Sequence, residues 1–308
     1  MPDELILHHY EGSPFAEKAR LMLGYKGLTW KSVHIPVIMP KPDLTALTGG
    51  YRRTPVLQVG ADIYCDTALL ARVLEARAPS PTLFPKAAPM ATVLAQWADF
   101  TLFWSVIPYT MQPAGLAEVF KGLPPDAIKA FAADRAPFAA SLRRQTVVDA
   151  TAALHSYLDL LEAQLADGRP YLFGEAPCIA DFSVAHNGWY VRRGGGLAKI
   201  LESRPALNAW LDRMLAIGHG RSERLRSQDA IEIAAATEPL PATVQPGLGF
   251  EAGQPVTVTP MDYGLDPVAG MLVGLDRDTV AVARTDTRAG LVHVHFPRRG
   301  YQIKKEQT

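Results

Sequence analysis

Three places in the sequence bring together groups that favour charge or bind ions. Gly12-Ser13-Pro14 is the first. Ser is a preferred N-cap and Pro a preferred first helical residue, so Ser13 stands at a helix start. A hydroxyl and unpaired backbone N–H groups there favour negative charge. Asp66-Thr67, ahead of the apolar positions Leu70, Val73 and Leu74, is the second, where the Asp is an N-cap and the Thr adds a hydroxyl. His293 and His295 are the third: two residues apart in a strand, they share a face, which is compatible with metal ligation. No Cys, Asp or Glu lies nearby in sequence to complete a ligand set, so no metal is expected. His8-His9 reads as packing or as support for a neighbouring site rather than as a base, and the short basic runs Arg298-Arg299 and Lys304-Lys305 as a solvated face.

These residues must be held by elements that the apolar pattern outlines. Leu5-Ile6-Leu7 is a buried-strand candidate leading to Ser13, and Phe15, Ala19, Met22 and Leu23 then recur at helical spacing. The apolar runs 56–59 and 63–65 flank Gly60-Ala61-Asp62 as a hairpin. Residues 1–84 therefore form a small α/β unit. Over 88–236 the strand signal disappears. Trp97, Phe100, Leu102, Phe103, Trp104 and Ile107 mark an aromatic helix that Pro108 should kink or end. Leu154, Leu158, Leu161 and Leu165 mark a second helix, a third starts near Cys178, and Leu207, Trp210, Leu211 and Leu215 mark a fourth, giving an all-α domain. After the Pro-rich stretch that begins at Glu238, residues 240–308 carry short strands separated by turn residues. A small antiparallel β-barrel or sandwich module is expected there.

Composition limits the function classes. The 308 residues carry 31 basic and 31 acidic side chains, and this neutral balance argues against phosphate-backbone binding, so nucleic acid is not an expected partner. Two cysteines cannot form a disulfide framework. The sequence start has no basic region followed by an apolar stretch, and no run approaches the roughly 18 apolar residues of a membrane span. A soluble cytoplasmic protein with no membrane contact is the expectation.

An α/β unit followed by an all-α domain resembles a cytosolic glutathione transferase over residues 4 to about 225. Gly12-Ser-Pro-Phe-Ala-Glu-Lys-Ala-Arg-Leu-Met-Leu looks like the first-helix motif of the omega type, with Ser13 where that type has Cys. Arg53-Thr-Pro-Val-Leu is similar to the family's cis-proline segment, Asp66-Thr67 stands where the family has an acidic residue followed by Ser, and Ile179-Ala-Asp-Phe-Ser-Val matches its helical-domain signature. The resemblance implies a thioredoxin-like domain, an all-α glutathione-transferase C-terminal domain, and glutathione as co-substrate without a metal. Pro55 would be the cis-proline, and Thr54 would offer backbone N–H and C=O to the cysteinyl unit. Thr67 would meet the γ-glutamyl carboxylate, Asp66 the ammonium end or only the helix start, and Arg52 or Arg53 the glycyl carboxylate.

Ser13 is the candidate activator, since a thiol of pKa about 8.5 needs a hydrogen-bond donor and positive potential to become thiolate at neutral pH. Serine cannot form the mixed disulfide that a Cys forms, which moves the chemistry toward conjugation or a related thiolate-dependent reaction. Tyr10 is the competing donor, because other classes use a Tyr at the end of the first strand; Ser13 ranks ahead because it starts the helix. Phe103, Trp104 and Tyr109 are candidates for the cleft of an electrophilic, largely apolar second substrate. Asp181, three residues after Cys178, reads as a helix-capping residue with a folding role. A homodimer is implied by the family. The alternative reading is a non-catalytic binding or assembly protein of this fold, acting through its C-terminal β module.

Overall fold

The computed structural model describes residues 4–138, 140 and 142–306. Its first unit runs β1 (Ile6–His9), α1 (Pro14–Tyr25), β2 (Thr29–His34), α2 (Pro42–Thr48), β3 (Val56–Val59), β4 (Asp62–Cys65) and α3 (Thr67–Arg77). β1 pairs parallel with β2 and antiparallel with β3, and β3 turns back into β4 as the expected hairpin. Alternation along β1 feeds two cores. Leu5 and Leu7 join the one built with α1, α3 and the helical domain, while Ile6 joins the one beneath the opposite face.

The helical domain comprises α4 (Ala91–Trp97), α5 (Phe103–Thr110), α6 (Pro113–Val119), α7 (Pro125–Phe138), α8 (Val147–Leu165), α9 (Ile179–Arg192) and α10 (Pro205–Ala216). A single π-helical turn, Ala98–Leu102, joins α4 to α5. The break expected at Pro108 is displaced: Pro108 lies inside α5, which continues to Thr110, and the irregularity is the wider turn upstream. Leu154, Leu158, Leu161 and Leu165 form the buried stripe of α8 as the spacing implied. Asp181 is fully buried and accepts from the backbone N–H of Leu172 and Cys178 and from Trp210 Nε1, each at 2.9 Å, joining a loop, α9 and α10. The Cys178 thiol donates to the same carboxylate at 3.2 Å.

Beyond α10 the chain returns to the first unit, which the apolar pattern did not indicate. It passes so close to α1 that a Cβ on Gly24 would lie 2.1 Å from the Gly218 carbonyl oxygen. β5 (Arg221–Arg224) then pairs parallel with β2, and α11 (Ser227–Ala235) packs on α2. Five antiparallel strands follow as expected: β6 (Pro255–Pro260), β7 (Val268–Leu275), β8 (Thr279–Asp286), β9 (Gly290–Pro297) and β10 (Tyr301–Lys305). They are joined to the first unit, since β9 pairs parallel with β4 and makes one ten-stranded sheet in the order β10-β6-β7-β8-β9-β4-β3-β1-β2-β5. Val256, Leu272, Val294 and Phe296 share their core with Ile6, Val33 and Val56. No helix of the described residues is long and apolar enough to cross a membrane.

Candidate active site

Ser13 caps α1 with extended backbone angles, and its Oγ accepts the Ala16 N–H at 3.2 Å. Accepting leaves the hydroxyl its own proton to donate. The residue is 3% exposed, and two positions on, Phe15 packs against Phe103 and His186 with ring centroids 4.8 Å apart in each case. The Thr54–Pro55 peptide is cis, as the resemblance implied.

One side of the site is cationic. Lys41 Nζ donates to Thr54 Oγ1 at 3.3 Å and lies 5.7 Å from the centre of the Tyr10 ring. Arg52 pairs with Asp134 at 2.8 Å, Asp134 also holds Arg135, and Arg135 reaches the Tyr10 hydroxyl at 3.5 Å. Burial pulls the Lys41 ammonium down to about 8, assisted by the charges of Arg135 and Arg52 and opposed by Asp134. No local sequence signal marks Lys41, Asp134 or Arg135. Asp134 and Arg135 sit on α7, about 80 residues from Arg52, and only domain packing brings them to the loop.

The other side is built around Asp66 and Thr67. Asp66 adopts a φ of 77° without being glycine, a conformation that costs on the order of 1–3 kcal/mol and clusters at ligand clamps. Its carboxylate accepts the Ala68 N–H at 2.8 Å and the Tyr301 hydroxyl at 3.0 Å. Burial raises its pKa against the opposing pull of the Ala68 N–H, Arg53 and Lys18. Thr67 Oγ1 accepts from Lys18 Nζ at 3.1 Å. Lys18 is fully buried and ion-paired with Asp99 at 2.6 Å, and Asp99 in turn takes His186 Nε2 at 3.2 Å, so the π-helical turn supplies its counter-ion.

The C-terminal segment enters this region. The Arg53 guanidinium donates to Asp262 and to the Tyr263 carbonyl, and stacks 3.9 Å from the Tyr263 ring centre. Trp104 meets the same ring edge-on at 5.2 Å. A continuous run of contacts thus leads from Phe15 through Phe103, Trp104 and Tyr263 to Arg53. Tyr109 is the third residue expected in the cleft. It is 8% exposed within the helical core, and its hydroxyl donates to the Leu197 carbonyl at 2.7 Å, because its polar end finds a partner inside the domain. Phe103, equally buried, serves as a wall between Phe15 and Trp104, and Trp104 is the half-buried member.

A thioredoxin-like sheet carrying a capped α1 and a cis-proline segment, closed by a helical domain, defines a protein of the glutathione-transferase type. The chain belongs to the glutathione S-transferase family. Residues 7–82 match the family's N-terminal domain model and residues 125–213 its C-terminal domain model. A solved GST-like protein from Pseudomonas syringae is 44% identical over 99% of this chain and 100% of its own, with a TM-score of 0.82, so the likeness includes the C-terminal strands. Glutathione S-transferase III in its apo form is 21% identical over 77% of this chain and 100% of its own (TM-score 0.54), and FzlA from C. crescentus is 21% identical over 80% and 95% (TM-score 0.52). These two likenesses concern the fold alone. No curated protein sequence matches the chain.

Proposed function

We propose that this protein binds glutathione and activates it as thiolate at Ser13 for attack on an electrophilic, largely apolar second substrate. The observation that carries the reading is the Ser13 hydroxyl at the N-cap of α1, with Lys41 Nζ 5.7 Å from the ring centre of Tyr10, whose carbonyl accepts the Ser13 N–H at 3.2 Å. The glycyl carboxylate would meet Lys41 and Arg52, and the cysteinyl unit the backbone of Thr54 before Pro55. The γ-glutamyl end would meet Asp66 and Thr67, with Arg53 behind them. Ser13 O–H and the positive end of α1 would then hold the sulfur as thiolate, with Tyr10 as the competing donor. Phe103 and Trp104 would form the apolar side offered to the electrophile. A homodimer goes with the family reading.

Isothermal titration with glutathione tests the first step, and no binding at millimolar concentration would sink it. Ser13→Ala should then raise the pKa of the bound thiol by roughly one to two units, the worth of one hydrogen bond to a charged group, read from thiolate absorbance. An unchanged pKa would move the role to Tyr10 or the backbone.

One observation favours a second reading, a non-catalytic binding protein acting through its C-terminal strands. Arg53 and Asp66 already have partners in Asp262, Tyr263 and Tyr301. Turnover of any electrophile at the thiolate would count against it.

A further inference from the structure

We propose that Asp62, His293 and His295 form a binding site for one divalent transition-metal ion, of the zinc type, at the seam between the two halves of the sheet. The parallel pairing of β4 with β9 sets Asp62 beside His293 and Tyr64 beside His295. With a side-chain period of two, Asp62, His293 and His295 therefore share one face. One ligand atom from each lies within 4.8 Å of the other two. The acidic ligand missing from the neighbourhood of the two histidines in sequence is thus supplied from about 230 residues away.

The surroundings hold these groups in place. Asp62 is 2% exposed, and its Oδ2 accepts the Leu240 N–H at 2.8 Å while Oδ1 faces His295 Nε2 at 2.7 Å. The His295 ring stacks on Tyr64, centroids 4.6 Å apart and planes 20° apart. Outer contacts of this sort orient metal ligands in known sites. His293 Nδ1 is enclosed and has no hydrogen-bond partner, a polar atom left unsatisfied by the protein. Two imidazoles and one carboxylate suit zinc and its neighbours, whereas calcium and magnesium prefer all-oxygen sets. Three protein ligands leave a fourth tetrahedral position for water.

The other cluster of this composition, His9, Glu11 and His34, is less suited. Arg20 donates to His9 Nδ1 at 3.0 Å and Ser32 holds His9 Nε2 at 2.9 Å, so this ring must break a bond to ligate. It supplies the control.

The experiment is a calorimetric titration of the full, metal-free chain with zinc chloride, repeated with cobalt(II) and read by its visible absorption. One equivalent should bind, and zinc should raise the midpoint of thermal unfolding by mass action. His293→Gln and His295→Gln should each lower the affinity by at least the ten- to hundred-fold that losing an outer contact alone costs. They should also remove the thermal shift, while His34→Gln leaves both unchanged. Circular dichroism establishes that the variants are folded, and His293→Gln, which breaks no bond at Nδ1, keeps the test available if His295→Gln is not. No saturable binding, or binding that survives the β9 substitution and is lost in His34→Gln, overturns the proposal.

Discussion

Lys41 is 3% exposed and keeps its proton only up to about pH 8, because burial and the neighbouring guanidinium groups oppose its charge and lower its pKa to about 8. An unfolded lysine titrates near 10.5, so between about 8 and 10.5 the unfolded chain holds more protons and this group adds stability as pH rises. Binding should follow the opposite course, since a carboxylate at Lys41 needs the ammonium. The affinity for S-methylglutathione, which has no thiol to titrate, is expected to fall as pH rises through about 8, by roughly ten- to hundred-fold for one charge-assisted bond. Lys41→Met should bind weakly at all pH values and flatten the profile, as calorimetry across pH 6.5–9.5 would reveal; a wild-type profile in the variant would remove Lys41 from the site. Ser13, Pro55 and Asp66 were readable because Ser-Pro, Thr-Pro and Asp-Thr leave local signals in the chain. Lys41 leaves none: its role comes from Thr54, Arg52 and Arg135, all brought to it by folding.

At the scale of elements, β1, β3 and α11 are tied by a buried polar chain. His8 Nε2 meets Gln58 Oε1 at 2.8 Å, and Gln58 Nε2 donates to the carbonyls of Gly60 and Ala230 at 2.9 and 2.8 Å. Burial pushes the His8 imidazole down to about 4, the bond to Gln58 opposing the shift, and His9 falls to about 3 through burial and Arg20. Both rings are neutral in the fold, and an unfolded histidine gains its proton near 6.5. From pH 6.5 down to about 4 the unfolded chain therefore binds more protons, and stability falls as pH falls, at about 1.4 kcal/mol per unit for each ring. His8 alone accounts for roughly 3 kcal/mol across that window. Urea midpoints measured at pH 7, 6, 5 and 4 should fall steadily, and His8→Gln should start lower but fall less steeply. An identical slope would show that His8 does not carry the effect. His8-His9 was legible as packing, but the partner residues Gln58 and Arg20 were not, because cross-strand neighbours are a matter of register.

At the scale of the whole molecule, β6–β10 complete a sheet and a core begun by β1–β4. Removing them would bare the edge of β4 and one side of the core around Ile63 and Cys65, at about 1.5–3 kcal/mol for each large side chain exposed. Against a net stability of about 5–15 kcal/mol for an ordinary domain, such a loss is decisive. We therefore expect residues 1–239 to be insoluble or to unfold without a sharp transition, whereas the full chain melts with the first sheet and the C-terminal strands in one step. A truncated chain that melts within a few degrees of the full one would mean that the strands are an independent module. The amino-acid sequence by itself determined the succession of an α/β, an all-α and a β segment, the helix caps at Ser13 and Asp66, the buried stripe of α8 and the family, since each depends on residues within a few positions of one another. Only the tertiary structure decided that the C-terminal strands extend the first sheet, that Tyr263 and Tyr301 reach Arg53 and Asp66, and that Asp62 joins His293 and His295. Those contacts span about 210 to 235 residues, and the hydrogen bonds and buried area that fix such pairings come into being only when distant segments meet.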